Sequence, residues 1–393
     1  MPKWSNWSGK YPARPQSLYH IRSEEDASAI VAGANTEGRT VRIAGSGHSH
    51  MPLVANDDTI LDLSGLAGVI DIDAGAKTAR VWAGTKIHAL GRPLHDAGLA
   101  LPNQGDIDRQ AIAGVTATGT HGTGRSLGNL SALVTGATLI LASGKRIDCS
   151  AERHPATWAA LRLNLGAMGV ITQLELQLRD AYKLKESAWN EEFSSLVTRI
   201  DELAGAHRHF EFFWSPVDDQ AFAKTIDETN DPVVYPLAEE GQRCAWSYEV
   251  FPSHRPHLHT EMEYSVPEEN GIACFTAIRD LVHKDFPDLK WPVEYRTVAA
   301  DDVWLSAAYE RATATISVHQ DIREDDEPLF RACEKVFLSF GGRPHWGKIN
   351  YLGGGAMRAV HPKWDDWWEI RNKRDPNGIF LNDLLRGYQS ASS

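Results

Sequence analysis

The sequence predicts an α+β fold of two units, with a short tail returning to the first. Three observations point there. At 393 residues the chain is too long for one ordinary core. Its first 183 residues alternate short strands with helices and glycine-rich turns. From residue 184 the strands lengthen and long helices flank them, the texture of an antiparallel sheet covered by helices. We expect one domain over 1–183, a second over 184–376, and a segment 377–393 that packs back on the first.

Taken in order, Ser23-Glu24-Glu25-Asp26 opens an amphipathic helix over 23–36, with Ala27, Ile30, Val31 and Ala34 at helical spacing. Thr40–Ala44 reads as a buried strand. Thr59–Leu63 and Gly68–Ile72 are strands, and Thr78–Ala83 pairs back across the turn Asp73–Ala76. Lys86–Ala97 is a helix that Gly98 ends. Pro102–Gly128 is too apolar for a disordered linker and too rich in glycine for a regular element. Strands resume at Leu133–Leu141 and Lys145–Asp148, and a helix near His154–Leu163 leads to a strand ending near Leu178. Beyond residue 184 we expect strands at Phe210–Trp214, Ala245–Phe251, Val293–Val298 and Thr313–His319. Helices are expected near Glu192–Ala206, Glu269–Phe286 and Pro328–Phe340, and Val217–Val234 reads as loop.

Composition narrows the function. Hydrophobic residues at 42% and charged residues at 23% suit a globular protein, and a net charge of −12 argues against nucleic acid or an anionic membrane as partner. The start, MPKWSNWSGKYPARP, has no apolar stretch fit for a signal peptide, and no later run spans a bilayer, so the expected location is cytoplasmic. Cys149, Cys244, Cys274 and Cys333 are far apart and read as reduced buried thiols, with no metal-ligand spacing. The run Arg371-Asn372-Lys373-Arg374 reads as a solvated face. Thirteen tryptophans fit large apolar pockets and a ring-shaped ligand.

Two glycine-rich turns are candidate ligand cradles. In Gly45-Ser46-Gly47-His48-Ser49 the glycines let backbone approach a ligand, and successive N–H groups can face an anion. This is no dinucleotide βαβ fingerprint, because His48 and Met51-Pro52 stand where that turn needs glycine and a helix. From spacing alone a plain turn reads equally well. Gly119-Thr120-His121-Gly122-Thr123-Gly124 offers a second donor cluster, and two in one domain suit a diphosphate held in a non-Rossmann manner. His121 reads either as a ligand contact or as a loop histidine satisfying carbonyls. Glu294 and Arg296, two apart in a strand, share one face, as an ordinary cross-face salt bridge also would.

Four motifs then carry a resemblance: RIAGSGHSH (Arg42–His50), ALPNQGDIDRQAIAGVTATGTHGTG (Ala100–Gly124), VEYRTVAADDVWLS (Val293–Ser306) and RPHWGK (Arg343–Lys348). With them the chain resembles the vanillyl-alcohol-oxidase-type (PCMH-type) flavoproteins, in the branch of aldonolactone and alditol oxidases. The resemblance covers most of the chain. It implies a two-subdomain FAD-binding domain and a cap domain, with antiparallel sheet and flanking helices, over the flavin ring. It implies FAD bonded through its 8α-methyl to His48, with His50 off the motif position. Cofactor contacts are implied at Ala44, Gly45, Ser46, Gly47, Ser49, Gly105, Asp106, Gly114, Thr118, Gly119, Thr120, His121, Gly122 and Val170. No cysteine lies in Pro102–Gly124, so no second covalent link is expected.

On the reacting side, the resemblance places Glu294 and Arg296 over the flavin. There Arg296 would orient the substrate and Glu294 would accept a hydrogen bond from its hydroxyl. Lys348, flanked by Trp346, Ile349 and Tyr351, would contact substrate oxygen, and His319 would face the pocket. Ser317 and His319 stand where alditol oxidases show His and Thr, which favours a cyclic sugar derivative over a plain alditol. The implied reaction is oxidation of a carbinol carbon of a small polyhydroxylated, sugar-derived substrate. An aldonolactone such as gulono- or arabinono-1,4-lactone is favoured; an alditol of the xylitol or sorbitol type is the alternative. Gly105 stands where an alanine in related dehydrogenases shields the flavin, so O2 is the expected acceptor and hydrogen peroxide the product. A dehydrogenase of the same fold with another acceptor is the other reading.

Overall fold

The computed structural model describes residues 1–253 and 256–390. The first unit holds two main sheets, besides the two-stranded pairs Trp4–Ser5 with Pro12–Ala13 and Leu99–Ala100 with Arg179–Asp180. Strands Ser17–His20 and Val41–Ala44 flank Thr59–Asp62 in a parallel sheet. Parallel neighbours need a crossover, and the helix Glu24–Thr36 supplies one, its start fixed by Ser23 Oγ accepting from Asp26 N at 3.1 Å. The second sheet is antiparallel, in the order Arg146–Ser150, Val134–Ile140, Val170–Gln177, Thr78–Trp82, Val69–Asp73.

The second unit is one eight-stranded antiparallel sheet. Its order is Cys244–Trp246, Lys183–Glu192, Gln220–Glu228, His209–Trp214, Val293–Val298, Thr313–Asp321, His259–Pro267, Arg343–Pro344. Side chains alternate across a strand, and this sheet uses the alternation fully. Phe212, Trp214, Met262, Val293, Tyr295, Ile316 and Val318 face the helices Gly271–Asp285 and Glu327–Ser339 in an apolar core. The intervening residues Glu211, Glu261, Glu263, Glu294, Arg296, Ser317 and His319 take the opposite face. Register aligns them in rows, since Glu294 and Glu263 both pair with Ser317, and His319 pairs with Glu261.

Several sequence expectations need correction. Pro102–Gly128 contains a helix, Ile112–Thr118, closed by Gly119 in the left-handed region at φ 74°. Its Gly114 and β-branched residues hide the helical pattern. Ala245–Phe251 is strand only through Trp246; Ser247–Val250 then forms a helical turn. Glu192–Ala206 is two short helices, Phe193–Leu196 and Ile200–Ala206. Val217–Val234 is mostly the strand Gln220–Glu228.

The chain returns to the first unit well before residue 377. Trp346, Met357, Trp364, Trp367, Trp368, Phe380 and Leu385 share one core with Leu61, Leu139 and Met168. Several tryptophans thus pack the returning segment rather than surround a ligand. Arg371 is also no solvated residue: it is 1% exposed, pairs with Asp375 and donates to the Ala167 carbonyl at 3.1 Å. Arg374 is half-buried and donates to Thr157 Oγ at 2.8 Å.

Candidate active site

A cavity of about 1370 Å³, its open mouth included, lies between the two sheets of the first unit and the polar face of the cap sheet. The first turn lines it with Ala44, Gly45, Ser46, Gly47, His48 and Ser49. Gly105, Asp106, Gly114, Thr118, Thr120 and His121 line it from the second stretch. A Cβ on Gly45 would stand 3.1 Å from Ala111 Cβ, and Gly47 has φ +69°, so this turn is built for residues without side chains. Three expected contacts fall off the wall. Gly119 caps its helix, Gly122 packs against Gln104 and Asn103, and Val170 is buried between Gly169 and Ile171, which themselves reach the cavity.

The wall also carries Arg42, which the sequence reading leaves out. Its Nε donates to Leu53 O at 2.7 Å, Nη1 to Gly166 O at 2.8 Å and Phe380 O at 2.5 Å, and Nη2 to Leu165 O at 2.7 Å. Every one of these partners is a carbonyl. Burial, aided by Arg371, pulls its pKa down to about 9. A buried cation met only by dipoles at the edge of a large cavity suits an anionic ligand such as the FAD diphosphate.

His48 stacks on Trp7, ring centres 5.5 Å apart. Burial first, then Lys348 and Lys86, push its pKa down to about 4, so the imidazole is neutral near pH 7 and keeps a nucleophilic lone pair. Lys86 also donates to Ser46 Oγ at 2.5 Å.

Across the cavity, Arg296 meets three carboxyl groups. Nη2 lies 2.5 Å from Asp106 Oδ1 and 2.5 Å from Glu294 Oε1, and Nε lies 3.0 Å from Glu211 Oε2. Burial opposes the guanidinium charge, but Asp106, Glu294 and Glu211 outweigh it and hold its pKa well above the ordinary value. Arg296 alone cannot neutralise three carboxylates, two of them buried and Asp106 half-buried, and Lys224 assists only at Glu211 among those contacts. Burial, with Asp106 and Glu211 reinforcing it against Arg296, raises the Glu294 pKa well above the ordinary carboxylate value. The Glu294 contact is close without hydrogen-bond geometry, and its Oε1 is left buried without a partner. Glu211 is held ionised: burial raises its pKa, but Lys224, at 2.7 Å, and Arg296 bring it below the ordinary value.

Lys348 reaches the wall and pairs with Glu261. Burial disfavours its charge, yet Glu261 and Glu263 raise its pKa. Arg296, Lys348 and Glu263 line the cavity, whereas Glu294 and His319 stand one layer behind. His319 donates Nδ1–H to Pro292 O at 2.8 Å, and burial pushes its pKa down to about 4.

Glu261 and Glu263 are absent from the sequence reading. The alternation in His259-Thr260-Glu261-Met262-Glu263-Tyr264 is their signal, with each carboxylate followed by an apolar or aromatic residue on the other face. Glu263 accepts from Ser317 Oγ at 2.7 Å and lies 3.1 Å from His121 Nε2.

Comparison with known proteins agrees with this geometry. The family model described as D-arabinono-1,4-lactone oxidase matches residues 174–246 and 233–388, and that of an FAD-binding domain matches 15–150. The chain is 34% identical to an L-gulono-1,4-lactone dehydrogenase of Mycobacterium tuberculosis, over 98% of each chain. It is 28% identical to an alditol oxidase of a Streptomyces species, over 97% of this chain and 98% of that one. Among solved structures, cholesterol oxidase from B. sterolicum superposes with a TM-score of 0.86 at 15% identity, over 98% of this chain and 96% of that one, a likeness of fold. The protein is an FAD-dependent oxidoreductase with a PCMH-type FAD-binding domain and a cap, and it belongs to the D-arabinono-1,4-lactone oxidase family.

Proposed function

We propose that the protein oxidises a carbinol carbon of a sugar-derived aldonolactone, of the gulono- or arabinono-1,4-lactone kind, and passes the electrons to O2. The observation that carries this reading is the charged face of the cap sheet. Arg296 and Lys348 stand on the wall opposite the glycine turns, with Glu294 against Arg296 one layer behind. FAD, when bound, supplies the two-electron acceptor. The chain supplies position and charge. Arg296 is a fixed cation that orients substrate oxygens. Glu294, held against Arg296 at 2.5 Å, is placed by that contact to accept a hydrogen bond from a neighbouring substrate hydroxyl. The Lys348 ammonium contacts the reacting oxygen and eases loss of its proton. Relatives that match over nearly the whole chain are named for gulonolactone, arabinonolactone and alditol substrates, which supports a small polyhydroxylated ligand.

The FAD is bonded to His48 in this reading, since His48 is on the cavity wall and its imidazole is neutral. The division into a cofactor domain over 1–183, joined by the returning segment, and a substrate domain between them is part of the same proposal. So is a cytoplasmic location, supported by four buried, unpaired thiols. No described helix is long and apolar enough to cross a membrane.

Two measurements test this. A panel of sugar lactones, alditols and glycosides is assayed for peroxide release, with lactones expected to lead. A dehydrogenase reading, favoured by the name of the mycobacterial relative, requires the substrate-reduced enzyme to stay bleached in air. For the linkage, acid precipitation should leave the wild-type pellet yellow and release the flavin from His48→Ala. Flavin that stays with the His48→Ala pellet overturns it.

A further inference from the structure

Behind Lys348 the cap sheet and the first turn bring three imidazoles to one carboxylate. His50 Nε2 and His259 Nε2 lie 3.8 Å and 3.7 Å from Glu261 Oε2, and His319 Nε2 lies 3.7 Å from Glu261 Oε1. These distances are too long for hydrogen bonds. The tautomers explain why. His259 Nδ1 is 3.0 Å from His257 O, and His319 Nδ1 is 2.8 Å from Pro292 O. A carbonyl only accepts, so each Nδ1 carries a proton, and in the neutral ring Nε2 is the atom free to ligate. His50 is 4% exposed, and its Nδ1 has no hydrogen-bond partner. Three ring nitrogens thus converge on one carboxylate at distances longer than hydrogen bonds.

We propose that His50, His259, His319 and Glu261 form a binding site for one divalent transition metal ion of the Zn2+ class. Imidazole and carboxylate are the ligands such an ion takes, and at metal–nitrogen distances of about 2.0–2.1 Å tetrahedral imidazoles stand with ring centres about 5 Å apart. Here the His50 and His259 rings are 5.5 Å apart, and those of His259 and His319 are 5.4 Å apart. One ligand atom each from His50, His259 and Glu261 lie within 4.8 Å of one another, so these three form the core of the site; His319 meets the other oxygen of Glu261, in a second such group with Glu294, and would join as the fourth ligand across the carboxylate. The two Nδ1–H bonds to backbone carbonyls are the outer-shell anchors that orient ligating histidines. Lys348 pairs with the same Glu261 oxygen, Oε2. Ion and ammonium therefore compete, and metal binding turns Lys348 away from its carboxylate. Inhibition of oxidation by the ion follows only if Lys348 has the substrate role proposed above; binding itself does not depend on it.

The test uses flavin-loaded protein stripped with chelator and desalted. Zn2+ uptake is followed by calorimetry and by metal analysis after gel filtration, and Co2+ is followed by absorption bands to the red of the flavin. One ion per chain is expected. Glu261→Gln and His259→Asn should each weaken binding by about tenfold or more, while Lys348→Met, which removes the competitor, should tighten it. Variants are compared at equal flavin content and matching circular dichroism. His121→Asn reports on the neighbouring set His121, Glu263 and His345 and should leave uptake unchanged. Absence of stoichiometric uptake, equal affinity in the His259→Asn protein, weaker binding in Lys348→Met, or loss confined to His121→Asn overturns the proposal. Zn2+ uptake without inhibition leaves the metal site standing and refutes the substrate role of Lys348.

Discussion

Two buried arginines face one cavity from opposite sides, and they are neutralised in opposite ways. Arg42, in the cofactor half, meets only backbone carbonyls, and its pKa falls to about 9. Arg296, in the cap, meets three carboxyl groups, and its pKa rises. The first arrangement leaves positive charge for a ligand to meet. The second sets three carboxyl groups around one guanidinium, and the Glu294 pKa is pushed up. One side of the cavity is therefore prepared for an anionic group, and the other for hydroxyls that exchange hydrogen bonds with acids and cations.

The sharpest way to break this contrast is Arg296→Met. It leaves half-buried Asp106 and buried Glu211 without that guanidinium, so unfolding free energy should fall by about 3–5 kcal/mol in urea titrations, and turnover should vanish. An unchanged urea midpoint would show that the carboxylates are not held as described. Arg42→Met is milder, because carbonyls rather than charges lose their partner. A loss of about 2–3 kcal/mol is expected. The stabilisation that FAD adds in thermal melts should shrink as well, and undiminished stabilisation would remove Arg42 from the cofactor's surroundings. The smallest structural change is Gly105→Ala. Its Cβ would sit 3.2 Å from His121 O, a fit needing a shift of a few tenths of an ångström. Reoxidation by O2 in stopped flow should slow by about tenfold at a stability cost under about 1 kcal/mol, with turnover on an artificial acceptor retained. Unaltered reoxidation would separate Gly105 from the oxygen path.

The same contrast explains what the sequence reveals. The cofactor half is recognised from contiguous turns, because backbone binding needs glycine at fixed offsets, as at Gly45 and Gly47. Glu294 and Arg296 are visible as neighbours on one strand. Glu261 and Glu263 are not, since their meaning depends on register. Glu261 acquires its neighbours only when the strand His259–Pro267 pairs with Thr313–Asp321, more than fifty residues on, and when the first turn delivers His50. Short elements fail for a related reason. Ile112–Thr118 is helical because Thr85 and Ala83 carbonyls receive its first amides, at 2.8 Å and 3.2 Å, against the preference of its glycine and β-branched residues. The segment Ala245–Phe251 alternates like a strand, but Val250 and Phe251 turn inward onto Tyr182 and Leu184 instead.

The returning segment has a consequence for how the molecule is made. Trp364, Trp367 and Phe380 complete the core that Leu61 and Leu139 begin, and the Phe380 carbonyl is held by Arg42. A growing chain emerging from the ribosome cannot close its amino-terminal half until nearly its last residues are synthesised. The early strands must wait, with apolar surface exposed, through production of the entire cap. Shortening the chain by even its final two helices should therefore damage the amino-terminal half first, and nascent chains should lean on chaperones until release.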